Sequence, residues 1–170
     1  MQPYVPYAWQ KKKETHRLFA RKGQKRLNVL GLMSLSGQLT VYHREQSIDG
    51  EFVKNSLDVF SKNTRQQPLV IVLDNGPVHH AKVVKDELER WESEGMYLFY
   101  LPTYSPHLNP IEILWRFCKY KWLNKVDYKS WSTLKKAILA IFKKYGLTYV
   151  INFRKLIIKN TLNNVSANSA

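Results

Sequence analysis

The chain has 170 residues, enough for one domain with a hydrophobic core. Its content of 44% apolar and 13% aromatic residues excludes global disorder, and its single cysteine, Cys118, excludes an intrachain disulfide and indicates a reducing compartment. No signal peptide and no apolar run of membrane-spanning length are visible, so the sequence predicts a soluble, cytoplasmic protein with no membrane partner.

The net charge of +14 is unevenly distributed. Residues 1–30 carry a net +7 and residues 115–160 a net +11, whereas residues 31–114 carry a net −4. Basic flanks around an acidic centre indicate a nucleic-acid partner, although a generally solvated basic surface is the simpler alternative. The lysines that we predict to contact DNA are Lys11, Lys12, Lys13, Lys135, Lys136, Lys143 and Lys144.

Four segments have the length and apolar content of β-strands: residues 26–35, 39–45, 68–74 and 96–102. The turn "SGQ" joins the first two into a predicted hairpin. The run "PLVIVLD" at 68–74 is continuously apolar, which is typical of a strand covered on both faces.

Helical spacing of apolar residues predicts helices over residues 49–63, 79–95, 109–123 and 131–146, and a further short helix after Thr148. Asp49 is the predicted N-cap of the first helix, and Gly95 is the predicted stop of the second. The order of hairpin, helix, strand, helix, strand and helices predicts an α/β fold with a mixed sheet.

Asp74 ends the third predicted strand, within "VIVLDNGPVHHAK" (70–82). The following Asn75–Gly76 is a good hairpin-turn signal, so Asp74 has an interpretation as a turn former. A hairpin needs a return strand, however, and the residues after Pro77 are predicted to be helical. Asp74 therefore lies at the carboxyl end of a strand, where open α/β sheets bind ligands.

Glu112 follows a proline-rich stretch, "LPTYSPHLNPIEILW" (101–115), and lies in the first turn of a predicted helix. Asn109 suits the N-cap position and Pro110 the first helical position, so that Glu112 completes the pattern of a capping box. A lone pattern of this kind is more often a cap than a catalyst. The two roles are compatible, because a first-turn carboxylate can still face a cleft.

Together, Asp74 and Glu112 are the kind of carboxylate pair that binds Mg²⁺ or Mn²⁺. Two such ions activate the attacking oxygen and stabilise the leaving oxygen in phosphodiester chemistry. The histidines His79, His80 and His107 show no spacing typical of zinc sites. We interpret His79 and His80 as first-turn helix residues rather than metal ligands.

The stretches "LDNGPVHH" (73–80) and "LPTYSPHLNPIEILWRFCK" (101–119), with "PYVPYAWQKK" (3–12), resemble the catalytic domain of DDE-superfamily transposases of the mariner-type insertion-sequence branch. The resemblance implies an RNase H-like mixed sheet with flanking helices. It implies that Asp74 and Glu112 are the second and third acids of a catalytic site for Mg²⁺ or Mn²⁺, with Asn75 and Asn109 in supporting roles. The implied reaction is DNA cleavage at transposon ends, followed by attack of the freed 3′-hydroxyl on target DNA.

Two departures from the family pattern matter. The interval of 38 positions from Asp74 to Glu112 is a few longer than usual, with the excess placed in "ELERWESEG" (87–95). The family's first aspartate lies on a strand just before the "PYVPYAW" segment, and a helix-turn-helix domain that reads transposon ends usually precedes that strand. This chain includes neither the aspartate nor the helix-turn-helix domain. We reject Asp49 and Asp58 as substitutes because both lie on the first predicted helix.

The sequence therefore predicts a partial RNase H-like catalytic domain at residues 1–125 that lacks its first, central strand, and a basic helical extension of it at residues 126–170. We expect DNA as a partner, self-association, and an upstream segment or second chain that supplies the missing strand. The chain alone should not cut or join DNA. The alternatives are a non-catalytic nucleic-acid-binding module with the same core, and an interaction protein in which Asp74 and Glu112 are only turn and cap.

Overall fold

In a computed structural model of the chain, the residues described are 25–34, 36–64, 68–103, 105 and 108–153. Strands β1 (Asn28–Met33) and β2 (Leu39–Arg44) form an antiparallel hairpin in which Asn28 pairs with Arg44 and Met33 with Leu39. Gly37 in the connecting turn has a φ of 87°, a conformation that glycine adopts without strain. The predicted hairpin is confirmed.

Helix α1 (Gly50–Asn63) follows the hairpin and begins at the predicted cap. The Asp49 carboxylate accepts a hydrogen bond of 2.9 Å from the backbone N–H of Phe52. Val53 and Leu57, four residues apart on one face of the helix, are fully buried. The helical spacing read from the sequence therefore identifies the buried face of α1 correctly.

Strands β3 (Leu69–Leu73) and β4 (Met96–Tyr100) pair in parallel. Ile71 and Leu73 are each only 5% exposed, whereas Val70 is 58% and Val72 49% exposed. Tyr97 and Phe99 on the neighbouring strand are exposed as well. The prediction that residues 68–74 are covered on both faces is therefore wrong, because side chains on one face of this strand are open.

The crossover between these strands is a one-turn 3₁₀ helix (Pro77–His80), then α2 (Lys82–Lys85) and α3 (Leu88–Ser93). The prediction of one helix over 79–95 is wrong. Ala81 has an extended ψ of 145°, which separates the 3₁₀ turn from α2, and a second turn separates α2 from α3. The predicted apolar stripe holds nevertheless, since Val84 and Trp91 are fully buried.

Helix α4 (Ile111–Phe117) continues into a π-helical turn (Cys118–Trp122), and α5 (Trp131–Lys143) follows after a short 3₁₀ segment. Residues 146–152 form a turn and irregular backbone where part of a further short helix was predicted, and residues 154–170 lie outside the described part of the chain. No helix within the described residues is long and apolar enough to cross a membrane.

Two hydrophobic clusters hold these elements together. The first joins β1, α1, the β3–β4 pair and the crossover, and includes Leu32, Leu57 and Trp91. The second joins α4, α5 and the residues that follow, and includes Leu114, Cys118 and Ile141. Burial raises the pKa of the free Cys118 thiol to about 12. The hairpin contacts both clusters, since Leu32 belongs to the first and Leu39 packs against the second.

The described strands form an antiparallel sheet, β1–β2, and a parallel sheet, β3–β4. Helices flank both, so the predicted α/β class is confirmed. Within the described residues, the predicted mixed sheet is seen as these two small sheets, one antiparallel and one parallel. Across the described residues, β1 and β3 each pair along one edge only, and they do not pair with each other.

Candidate active site

Asp74 and Glu112 line the same cavity, which has a volume of about 370 Å³. It lies where β3 and β4 end, since Asp74 directly follows β3 and the wall residues Leu101 and Pro102 directly follow β4. Helix α4 contributes Glu112 from its first turn. The structure thus brings together the two carboxylates that the sequence singles out, and Asn75 and Asn109 line the cavity with them.

Asp74 has one oxygen engaged and one without a hydrogen bond among the described residues. Its Oδ1 accepts from the backbone N–H of Gly76 at 3.1 Å and lies 3.2 Å from Nε2 of His79. The Asp74 side chain is 55% exposed. The turn interpretation is therefore correct for Oδ1, and it leaves the other oxygen for a ligand.

His79 is the functional candidate that the sequence interpretation missed. It lies on the 3₁₀ turn and is only 8% exposed. Burial lowers the pKa of His79 below its ordinary value, the charge of Asp74 opposes that shift, and His80 adds to it. Its Nδ1 has no hydrogen-bond partner within the described part of the chain. Pro77 is the sequence feature that could have indicated this position, because a tight turn that begins at Pro77 brings His79 back towards the end of β3.

The neighbouring histidine makes an equivalent contact with the next residue of the motif. Nε2 of His80 contacts Oδ1 of Asn75, and the His80 ring stacks on Tyr100 with centroids 4.4 Å apart. The Tyr100 hydroxyl donates to the backbone carbonyl of His79 at 3.1 Å. Strand β4 therefore fixes the turn that carries both histidines.

Glu112 is not used as a helix cap. The predicted capping box is wrong, since the helix begins at Ile111 and its start has no side-chain cap hydrogen bond. Asn109 Oδ1 makes only a long contact of 3.4 Å with the N–H of Ile111. The Glu112 side chain is exposed at the cavity and makes no hydrogen bond within the described residues, so it is available to a ligand.

Close packing against the hairpin places the helix that carries Glu112. A Cβ added at Gly31 of β1 would lie 2.6 Å from Ile111 and 3.0 Å from Trp115. Only glycine at this position allows α4 to approach β1 so closely.

Asp49 and Asp58, rejected above as substitutes for a first acid, serve other contacts. Asp49 caps α1 and pairs with Arg44 at 2.6 Å, and Asp58 pairs with Arg90 at 2.5 Å. Of the acids that the structure describes, only Asp74 and Glu112 line the cavity, and the described residues contain no group of three histidines, cysteines or acids that could hold a metal ion.

A second, basic depression of about 500 Å³ is lined by Lys25, Lys135, Lys136, Glu45 and Trp131. Nζ of Lys135 lies 2.7 Å from Oε1 of Glu45, and this contact lowers the pKa of Glu45. The sequence interpretation missed Lys25, which folding brings beside two of the predicted lysines. Lys143 and Lys144 are exposed at the end of α5 but do not line this depression, and Lys11, Lys12, Lys13 and His107 lie outside the described residues.

Comparison with solved structures first defines the class of fold. A chain in the cryo-EM structure of a simian T-cell lymphotropic virus intasome in complex with PP2A regulatory subunit B56 gamma matches with a TM-score of 0.50 and 19% identity. The match covers 75% of this chain and 44% of that chain. This likeness concerns the fold alone, and it confirms the predicted RNase H-like α/β class.

The family follows from the sequence comparison. The model of the DDE superfamily endonuclease family matches residues 1–135, so the chain belongs to that family. The predicted membership of the DDE superfamily is confirmed, and residues 1–135 form a domain of the DDE endonuclease family. A search among curated protein sequences finds no match.

Proposed function

We propose that this chain forms part of the active site of a DDE transposase of the mariner-type insertion-sequence branch. The reaction would be metal-dependent cleavage at transposon ends, followed by strand transfer to target DNA. The observation that supports this proposal is the cavity shared by Asp74 and Glu112 in a chain of this family.

The residues at the cavity fit a hard divalent ion such as Mg²⁺ or Mn²⁺. Asp74 and Glu112 would supply carboxylate oxygens, and Asn75 and Asn109 line the cavity beside them, each with its amide oxygen in contact with a neighbouring residue. When bound, the ion would lower the pKa of the attacking water or hydroxyl and stabilise the leaving oxygen. The chain's own contribution is to present two exposed carboxylates whose positions are set by a strand end and a packed helix.

Lysines on α5 and beside it would hold the DNA backbone. We propose that Lys135, Lys136, Lys143 and Lys144 belong to a basic extension, residues 126–170, with Lys25 added from the start of the hairpin. Phosphate contacts of this kind position a duplex without reading its sequence. Trp131 lines the same depression, and an aromatic side chain beside lysines is the combination that stacks on unpaired bases.

Among the residues that the structure describes, two acids line the cavity, whereas the family's site is expected to contain three. We propose that an upstream segment or a second chain supplies the third acid on a strand that pairs with the open edges of β1 and β3. On this proposal, the 170-residue chain binds the metal ion but does not cut DNA.

A Mn²⁺ titration of the purified 170-residue chain tests the proposal. Asp74→Asn and Glu112→Gln should each weaken Mn²⁺ binding by about tenfold or more, because each removes a charged oxygen donor. The control Glu89→Gln, at an exposed position on α3, should bind Mn²⁺ as the wild type does. Mn²⁺ affinity that is independent of both cavity acids would contradict the metal site, and Asp74-dependent nicking of a duplex by this chain would contradict the need for a third acid.

A non-catalytic nucleic-acid-binding module is the second candidate function. The basic depression favours it, as does the presence of only two acids at the cavity within the described residues. This candidate predicts DNA binding that Asp74→Asn leaves unchanged and no Mn²⁺ site at the cavity, so the same titration separates the two.

A further inference from the structure

We propose that His79 is a positioning residue that fixes the Asp74 carboxylate for metal binding. This inference rests on the proposed function and assigns a role to a buried residue outside the pair of acids. Nε2 of His79 lies 3.2 Å from Oδ1 of Asp74, which also accepts from the N–H of Gly76. With Oδ1 accepting from the Gly76 N–H and in polar contact with Nε2 of His79, the carboxylate presents its second oxygen in a restricted orientation.

The chemistry of the His79 site indicates that the ring is there for its nitrogen. The side chain is buried, yet Nδ1 has no partner among the described residues. A buried polar atom without a hydrogen bond is destabilising, so an apolar ring would serve packing better. The contact that an apolar ring could not make is the one from Nε2 to Asp74.

The surroundings hold the His79 backbone as well as its ring. The Tyr100 hydroxyl, at the end of β4, donates to the His79 carbonyl, and the Tyr100 ring stacks against His80. The turn carrying His79 is therefore fixed to the strand that borders the cavity. A carboxylate held in this way loses less freedom when an ion binds, which is how surrounding hydrogen bonds strengthen metal sites.

Two substitutions of His79 and one control test this inference in the 170-residue chain. His79→Phe keeps a ring but removes the donor, whereas His79→Gln keeps an N–H of similar reach. His43→Phe changes an exposed histidine on β2 and serves as the control. The measurements are the Kd for Mn²⁺ and the urea midpoint of unfolding in metal-free buffer.

We expect His79→Phe to weaken Mn²⁺ binding by about 10- to 100-fold, while His79→Gln and His43→Phe remain close to the wild type. The urea midpoint of His79→Phe should be unchanged or higher, because the unpartnered Nδ1 is gone. Wild-type Mn²⁺ affinity in His79→Phe, or a lower urea midpoint in parallel with the lower affinity, would overturn the positioning role.

If His79→Phe does not fold, His79→Asn replaces it, since the shorter amide cannot reach Asp74. Tight binding by the Gln variant and weak binding by the Asn variant would support the inference, and equal affinities would overturn it. Asp74→Asn separates the two proposals. If that variant binds Mn²⁺ normally, the metal site fails, whereas a defect in Asp74→Asn without one in His79→Phe removes only the role of His79.

Discussion

Asp49, Asp58 and Asp74 make different contacts because their neighbours differ. Asp49 caps α1 and pairs with Arg44, so both of its oxygens are engaged. Asp58 accepts from Arg90 at 2.5 Å and from the Trp91 indole at 2.8 Å. Asp74 keeps one oxygen without a hydrogen bond in the described structure and lines a cavity. The availability of a carboxylate, rather than its presence, distinguishes the candidate ligand.

The contacts of Asp58 predict a measurable contribution to stability. Burial alone would raise the pKa of Asp58, but hydrogen bonds from Arg90 and Trp91 outweigh burial and lower it below the ordinary 3.8. Asp58→Leu should reduce the free energy of unfolding at pH 7 by about 1–3 kcal/mol, because it leaves the buried Trp91 N–H without an acceptor.

The pH dependence follows from the sign of this shift. Because the pKa of Asp58 is lower in the folded state than in the unfolded state, the charged carboxylate adds to the free energy of unfolding at pH values above the unfolded-state pKa. This contribution is lost as the pH falls through the folded-state pKa. The difference in free energy of unfolding between the wild type and Asp58→Leu should therefore become smaller below about pH 3.8, as urea melts at several pH values would show. A gap that stays constant down to pH 2 would contradict the charged role, and Asp86→Leu, at an exposed position, provides the control.

The meeting of Asp74 and Glu112 at one cavity could be predicted, because a strand end and a helix start meet at one edge in an α/β fold. Their role as metal ligands stays a prediction. The contact between His79 and Asp74 could not be predicted, since it depends on a one-turn 3₁₀ helix where a regular helix was expected. The role of Asn109 as a cap was also mispredicted, because the helix begins one residue later than its sequence pattern indicates.

At the level of elements, apolar periodicity predicted which residues are buried, but it did not predict where a helix is interrupted. The stripe through Val84 and Trp91 is correct, but the helix that carries it is broken by the extended Ala81 and by a second turn. A continuous apolar run likewise cannot show whether its second face is covered. The apolar run in β3 indicated that Val70 and Val72 are buried, but both side chains are exposed.

Gly50 provides a test of how tightly α1 packs against the crossover. A Cβ at this position would lie 2.4 Å from Cβ of Ala81 and 2.8 Å from Cγ2 of Val83. Glycine to alanine in a helix normally stabilises by roughly 0.5–1 kcal/mol, but overpacking of this kind costs about 1–3 kcal/mol. Gly50→Ala should therefore lower the free energy of unfolding, measured by urea melts.

Asn55→Ala, at an exposed position in the middle of the same helix, is the matched comparison. It should raise stability by about 0.5 kcal/mol through helix propensity alone. If Gly50→Ala and Asn55→Ala raise the free energy of unfolding equally, then Ala81 moves aside without strain and the predicted overpacking is wrong.

For the whole molecule, the sequence shows how much charge is present but not which charges are free. Lys135 is paired with Glu45 at 2.7 Å, whereas Lys136 in the same depression is exposed. Lys25 lies beside them only because the hairpin packs near α5. Such pairings join residues about 90 positions apart and depend on the folded topology, so composition alone could not give them.

Binding to duplex DNA should weaken steeply with salt, measured by fluorescence anisotropy between about 50 and 200 mM salt. Charge reversal of Lys135, Lys136, Lys143 and Lys144 together should flatten the log–log slope by about 0.9 for each DNA phosphate that the variant no longer neutralises. Among single changes, Lys136→Glu should act more strongly than Lys62→Glu, which makes the same charge change on α1. Binding that is insensitive to salt would exclude a polyanion partner.

The buried Cys118 thiol is a probe of local opening around helix α4. The chain has one thiol, which is 4% exposed at the end of α4 and has a pKa raised to about 12, so in the folded state it is neither accessible nor ionised at neutral pH. Alkylating reagents attack the thiolate, and they can reach this one only when the cluster around Leu114 opens. The labelling rate therefore reports how often the helix that presents Glu112 loosens, and an ion that holds Glu112 would slow it.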